Sequence, residues 1–67
     1  MEYDDALSKA QELWGDRAFI HKSGKWFLVG TKTDGGSHNE TTGLSDASWD
    51  DALDRAIRNQ VKRREAL

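Results

Sequence analysis

Ala18-Phe19-Ile20-His21-Lys22-Ser23-Gly24-Lys25-Trp26-Phe27-Leu28-Val29-Gly30 decides how this chain folds. Two runs rich in β-branched and aromatic residues flank a Ser-Gly step, the pattern of a β-hairpin closed by a two-residue loop. Glycine at the second loop position accepts positive φ without a Cβ clash, so the strands reverse with their natural twist. With Ser23-Gly24 as the loop, Lys22 faces Lys25, His21 faces Trp26, Ile20 faces Phe27, Phe19 faces Leu28 and Ala18 faces Val29. One face of the hairpin then carries Ala18, Ile20, Phe27, Val29 and Thr31, and the other Phe19, His21, Trp26, Leu28 and Gly30. Both faces are apolar, whereas a sheet with one wet side alternates apolar with polar. Either helices cover both faces or one face meets another chain.

An isolated hairpin is marginal in water, and the flanking segments supply cover. Before it, Tyr3, Ala6, Leu7, Ala10, Leu13 and Trp14 recur on one helical stripe. Acids crowd the first turn of that helix, where the dipole favours them, and Gly15 stops it. After the hairpin, Asp34-Gly35-Gly36 marks a turn. Ser37 to Leu44 reads as a third, edge strand, in which Glu40 blunts the edge, or as a mobile loop. Ser48-Trp49-Asp50-Asp51 then opens a helix, the serine oxygen accepting from the backbone N–H three residues on. Trp49, Ala52, Leu53, Ala56, Ile57 and Val61 form its apolar stripe, and Lys62, Arg63 and Arg64 match the dipole at its end. The expected fold is α+β: one domain over residues 1–67, helix-strand-strand-(strand)-helix, with two helices packed on an antiparallel sheet.

Sixty-seven residues hold a thin core, with roughly 60% of the unfolded surface buried on folding. With no cysteine there is no disulfide and no zinc–thiolate site. Association is therefore a reasonable source of further stability. The acidic start, Met1-Glu2-Tyr3-Asp4-Asp5, is unlike a targeting peptide, and no apolar run approaches the ~20 residues that span a bilayer. A cytoplasmic protein without membrane contact is expected.

The net charge of −2 is unevenly spread. Residues 1–16 are net −4, residues 17–33 net +4 with no acid, residues 34–51 net −5 with no base, and residues 52–67 net +3. Blocks that complement one another in this way are expected to pair within the fold.

Candidate chemistry is sparse. The two histidines, His21 and His38, make no helical metal pair and no triad spacing. His38, near Asp34 and Glu40, reads as a solvated loop residue and His21 as a strand residue beside Trp26. Asp50 and Asp51 belong to a helix start, and Asp54 suits Arg58 one turn on. Gly30 and Gly35-Gly36 lack the Lys-Ser/Thr of a phosphate loop. No catalytic residue, metal or cofactor is expected, and the chain has little room for an enzymatic cleft. The favoured function is a non-enzymatic interaction protein, binding a protein partner or itself as a homodimer through Phe19, His21, Trp26 and Leu28. A strand tryptophan on the second hairpin face is a natural interface anchor. The alternative is a nucleic-acid-binding module that grips phosphate with Lys22, Lys25 and Lys32 and with the stripe Arg55, Arg58 and Lys62.

The order of elements, with Gly43 to Ser48 leading into the last helix, resembles the αβββα layout of double-stranded-RNA-binding domains. That family grips phosphate with lysines at the start of its final helix. Here Ser48, Trp49, Asp50 and Asp51 occupy those positions and the acids would repel phosphate, so the resemblance implies the layout and not the activity. Separately, Ser48-Trp49-Asp50-Asp51-Ala52-Leu53-Asp54-Arg55-Ala56 is similar to the helix opening of HicB-like antitoxins and phage accessory proteins, which implies an accessory protein of a phage or mobile element.

Overall fold

The first apolar stripe forms helix α1, Tyr3–Trp14, in a computed structural model that describes residues 1–33 and 38–66, with the side chains of His38 and of residues 61–66 excepted. Asp4 and Asp5 lie in its first turn, and Gly15, at φ 62, ends it by donating its N–H to the Gln11 carbonyl. A single 3-10 turn, Gly15–Arg17, leads into the sheet. Strands β1 (Ala18–Ser23), β2 (Trp26–Thr33) and β3 (His38–Ser45) form an antiparallel sheet in the order β1-β2-β3. Helix α2, Trp49–Ala66, completes a small α+β domain with the αβββα order.

The hairpin loop is Gly24-Lys25 rather than Ser23-Gly24. Ser23 pairs with Trp26, Lys22 with Phe27, His21 with Leu28, Ile20 with Val29, Phe19 with Gly30 and Ala18 with Thr31. Gly24, at φ 56, takes the first loop position, an equally good place for a residue without Cβ. Each residue of β1 thus meets a partner two positions further along β2 than the Ser-Gly loop implies. Since side chains alternate with period two, both faces keep their membership.

The open question over residues 37–44 resolves as strand from His38 onward; Ser37 and the Asp34-Gly35-Gly36 turn lie outside the described residues. Gly43 pairs with Val29 and Thr41 with Gly30, which leaves Thr42 as the extra residue of a β-bulge. Thr42 turns inward as a result, its hydroxyl donating to the Val29 carbonyl at 3.5 Å. A Cβ on Gly30 would lie 1.8 Å from the Glu40 carbonyl oxygen, so the bulge admits only glycine there.

Both helices pack on one side of the sheet. Ala6 and Ala10 of α1, Trp49, Ala52, Leu53 and Ala56 of α2, and Ala18, Ile20 and Val29 of the sheet form the core. Alanine dominates because the layers approach closely. A Cβ on Gly43 would lie 2.0 Å from the Ala52 carbonyl oxygen and 2.7 Å from the Ala56 nitrogen, so α2 rests on the bare backbone of β3. Trp49 closes one end, with Phe27 and Tyr3 edge-on to it at 4.9 and 5.8 Å between ring centroids. Trp14 Nε1 donates to Gln60 Oε1 and ties the end of α1 to α2.

The apolar stripes are narrower in the fold than in the sequence. Tyr3, Leu13 and Ile57 are exposed, because alanine rows at Ala6/Ala10 and Ala52/Ala56 make the closest contacts and the larger residues flank them. The Ser48 cap forms as its pattern predicts, Oγ accepting from the Asp51 N–H at 3.1 Å. Ser45 Oγ extends it, accepting from the Ala47 N–H at 3.0 Å and donating to Asp51 Oδ2 at 2.7 Å. The two serines and Asp51 fix where α2 leaves the sheet.

Candidate functional site, the open face of the sheet

Neither helix covers the other side of the sheet. Pairing and alternation place Phe19, His21, Trp26, Leu28, Gly30, Lys32, Asn39, Thr41 and Leu44 there. His21, Leu28 and Leu44 make one row across all three strands, with Trp26 beside it opposite Ser23. Phe19 flanks the row on β1, across from Gly30, which adds no side chain to the surface. Trp26 is 40% and Leu44 44% exposed, Phe19 and Leu28 are half-buried, and His21 is exposed. Lys25 reaches back from the loop and holds its Nζ 5.2 Å from the Trp26 ring centroid, a cation–π contact. At the far end lies exposed Lys32, whose carbonyl accepts from Arg17 Nε at 3.3 Å. The surface is thus an apolar floor with basic groups at either end and no carboxylate among its residues.

The structure brings Phe19, His21, Trp26 and Leu28 together on this one surface. Leu44 belongs with them and escaped the sequence reading: unbroken alternation from Thr41 would set it opposite Phe27 on the other face, and the bulge at Thr42 brings it opposite Leu28 instead. The six basic residues are more scattered. Lys25 and Lys32 lie on the open face, while Lys22 is on the other side, its Nζ 4.6 Å over the Phe27 ring and donating to the Gly24 carbonyl. Arg55 and Arg58 sit beside the outer edge of β3 and are paired to acids one turn back, Arg55 Nε to Asp51 at 3.1 Å and Arg58 to Asp54 at 3.0 Å. The Lys62 side chain lies outside the described residues, as do those of Asp34 and His38.

Helix α2 also closes the edge of β3. Arg55 donates to the Leu44 carbonyl at 3.0 Å and Asn59 to the Thr42 carbonyl, which occupies acceptors that an edge strand otherwise offers to another chain. Of the side chains lining the shallow cleft there, those of Thr42, Arg55, Arg58 and Asn59 are already hydrogen-bonded or ion-paired. Among the described residues no three His, Cys, Asp or Glu side chains gather at a metal site, and no helix is long and apolar enough to cross a membrane.

No protein-family model, curated protein or solved structure matches the chain.

Proposed function

We propose that this chain is a non-enzymatic interaction domain that holds a partner protein against the open face of its sheet. One observation carries the reading. Phe19, Trp26, Leu28 and Leu44 share an apolar surface that neither helix covers, in a domain whose other sheet face packs Ala18, Ile20 and Val29 under both helices. Trp26 leaves two-fifths of its surface to solvent on this face, and tryptophan is among the residues most enriched at the anchoring points of protein interfaces. The αβββα order supports the likeness to double-stranded-RNA-binding domains at the level of layout. The similarity of residues 48–56 to phage accessory proteins fits a protein that works through others.

Nucleic-acid binding through the helix stripe is the weaker reading, because Arg55 and Arg58 are neutralised by Asp51 and Asp54. Photo-crosslinking tests the proposal. p-Benzoylphenylalanine at position 26 is expected to give an adduct with one protein in the cells that make this chain, this chain included, and the same group at exposed position 58 is not. Equal labelling from both positions, or adducts that survive Phe19→Ser, would remove the open face from consideration.

A further inference from the structure

Acids are concentrated on and around α1. Glu2, Asp4, Asp5, Glu12 and Asp16 are all exposed on or next to α1, on the helical side of the sheet. Of the cations of residues 17–33, Lys25 and Lys32 flank the open face, where no carboxylate stands among the described residues, while Arg17 lies in the 3-10 turn and Lys22 on the helical side. Of the expected pairing between blocks, Arg55 with Asp51 joins residues 52–67 to residues 34–51, while among the described residues no ion pair joins residues 1–16 to residues 17–33 and the one on α1 links Lys9 to Glu12. The acids of residues 1–16 therefore face away from the open side of the sheet, whose ends carry Lys25 and Lys32. The acidic surface also has an apolar group to offer: Leu13, 43% exposed, stands next to Glu12 and three residues before Asp16.

We propose that the open face receives the acidic outer surface of α1 from a second copy of this chain, head to tail. The inference rests on the interaction-domain reading and names its partner. Two copies placed sheet to sheet would oppose Lys25 and Lys32 to cations of the same kind. A copy presenting α1 instead sets carboxylates against those lysines and lays Leu13 on the floor made by Leu28 and Leu44. Because two different patches meet, the dimer keeps one patch of each kind free, and association continues beyond it.

Sedimentation equilibrium of the full chain at millimolar concentration tests this, with two surface variants, Trp26→Glu on the sheet and Leu13→Arg on α1. The wild type is expected to associate progressively, with affinity falling roughly tenfold from low to high salt. Each variant alone is expected to be monomeric. An equimolar mixture is expected to form a 1:1 dimer and stop, since one intact sheet face and one intact α1 remain. Circular dichroism confirms that both variants fold. A mixture that fails to pair while the wild type dimerises would show a symmetric interface and overturn the proposal. A monomeric wild type would overturn it too, and an adduct with another protein from position 26 would then leave the interaction reading standing. A monomer whose Trp26 fluorescence is quenched by oligo-dT would assign the face to single-stranded nucleic acid instead, overturning both.

Discussion

Gly43→Ala adds one methyl group where the fold has no room for it. The new Cβ would lie 2.0 Å from the Ala52 carbonyl oxygen, 2.7 Å from the Ala56 nitrogen and 2.8 Å from the Ala56 Cβ. Ordinary contact begins near 3.5 Å, so α2 would have to retreat by about 1.5 Å. Two of the three obstructing atoms are helix backbone, which no side-chain rotation can move. The retreat loosens Trp49, Leu53 and Ala56 against Val29 and Ile20, the centre of the core. Overpacking of this kind costs about 1–3 kcal/mol, and alanine's advantage over glycine in a strand returns only about 0.5–1. The net loss of about 1 kcal/mol falls on a domain whose whole stability is about 3–5 kcal/mol. Urea unfolding followed by far-UV circular dichroism is expected to show the midpoint fall by about 1 M, at an m-value near 1 kcal/mol/M. A variant within about 0.5 kcal/mol of the wild type would refute the close approach of α2 to β3.

The other expectations fall on separate links of the same chain of reasoning. Ser48→Ala removes the acceptor of the Asp51 N–H and is expected to cost about 1 kcal/mol, read as a melting-temperature drop of about 4–8 °C. At Gly24, φ 56 with open space around it makes chirality the whole effect: L-alanine is expected to cost about 1–2 kcal/mol and D-alanine, placed by chemical synthesis, almost nothing. Arg55→Ala with Asn59→Ala uncovers the Leu44 and Thr42 carbonyls and is expected to raise the aggregation rate, measured by light scattering, more than it lowers stability. Trp26→Ser is expected to abolish association while lowering unfolding free energy by about 1–3 kcal/mol, because Trp26 is only 40% exposed before any partner arrives.

Much of this fold is legible in its residues. Periodicity at 3.6 marks both helices, Gly15 and Ser48 mark where one ends and the other begins, and the two apolar faces of the hairpin already raise the question of what covers the second. The hairpin register was not legible, because a glycine serves equally well at either loop position and the strand residues alternate identically in both. Nor was the bulge at Thr42. It depends on Gly30 letting the Glu40 carbonyl come within reach, a contact between residues ten apart. With the bulge hidden, Leu44 could not be assigned to the open face. The exposure of Leu13 and Ile57 was equally unreadable, since an apolar stripe shows which residues are available for burial and not which the partner layer reaches. Charge was legible in part: blocks of opposite sign suggested internal pairing, which Asp51 and Arg55 make between residues 34–51 and 52–67, while among the described residues no ion pair joins residues 1–16 to residues 17–33.

The account stands on the open face being where molecules of this chain meet. Two-dimensional NMR spectra recorded from micromolar to millimolar concentration test that most directly. Shifts are expected at the Trp26 indole, the Phe19 ring and the Leu28 and Leu44 methyls, together with Leu13 and Glu12 on α1, while Ile57 and Arg58 stay unmoved. Shifts centred on Ile57 and the rest of α2, or no shifts at any concentration, would contradict it.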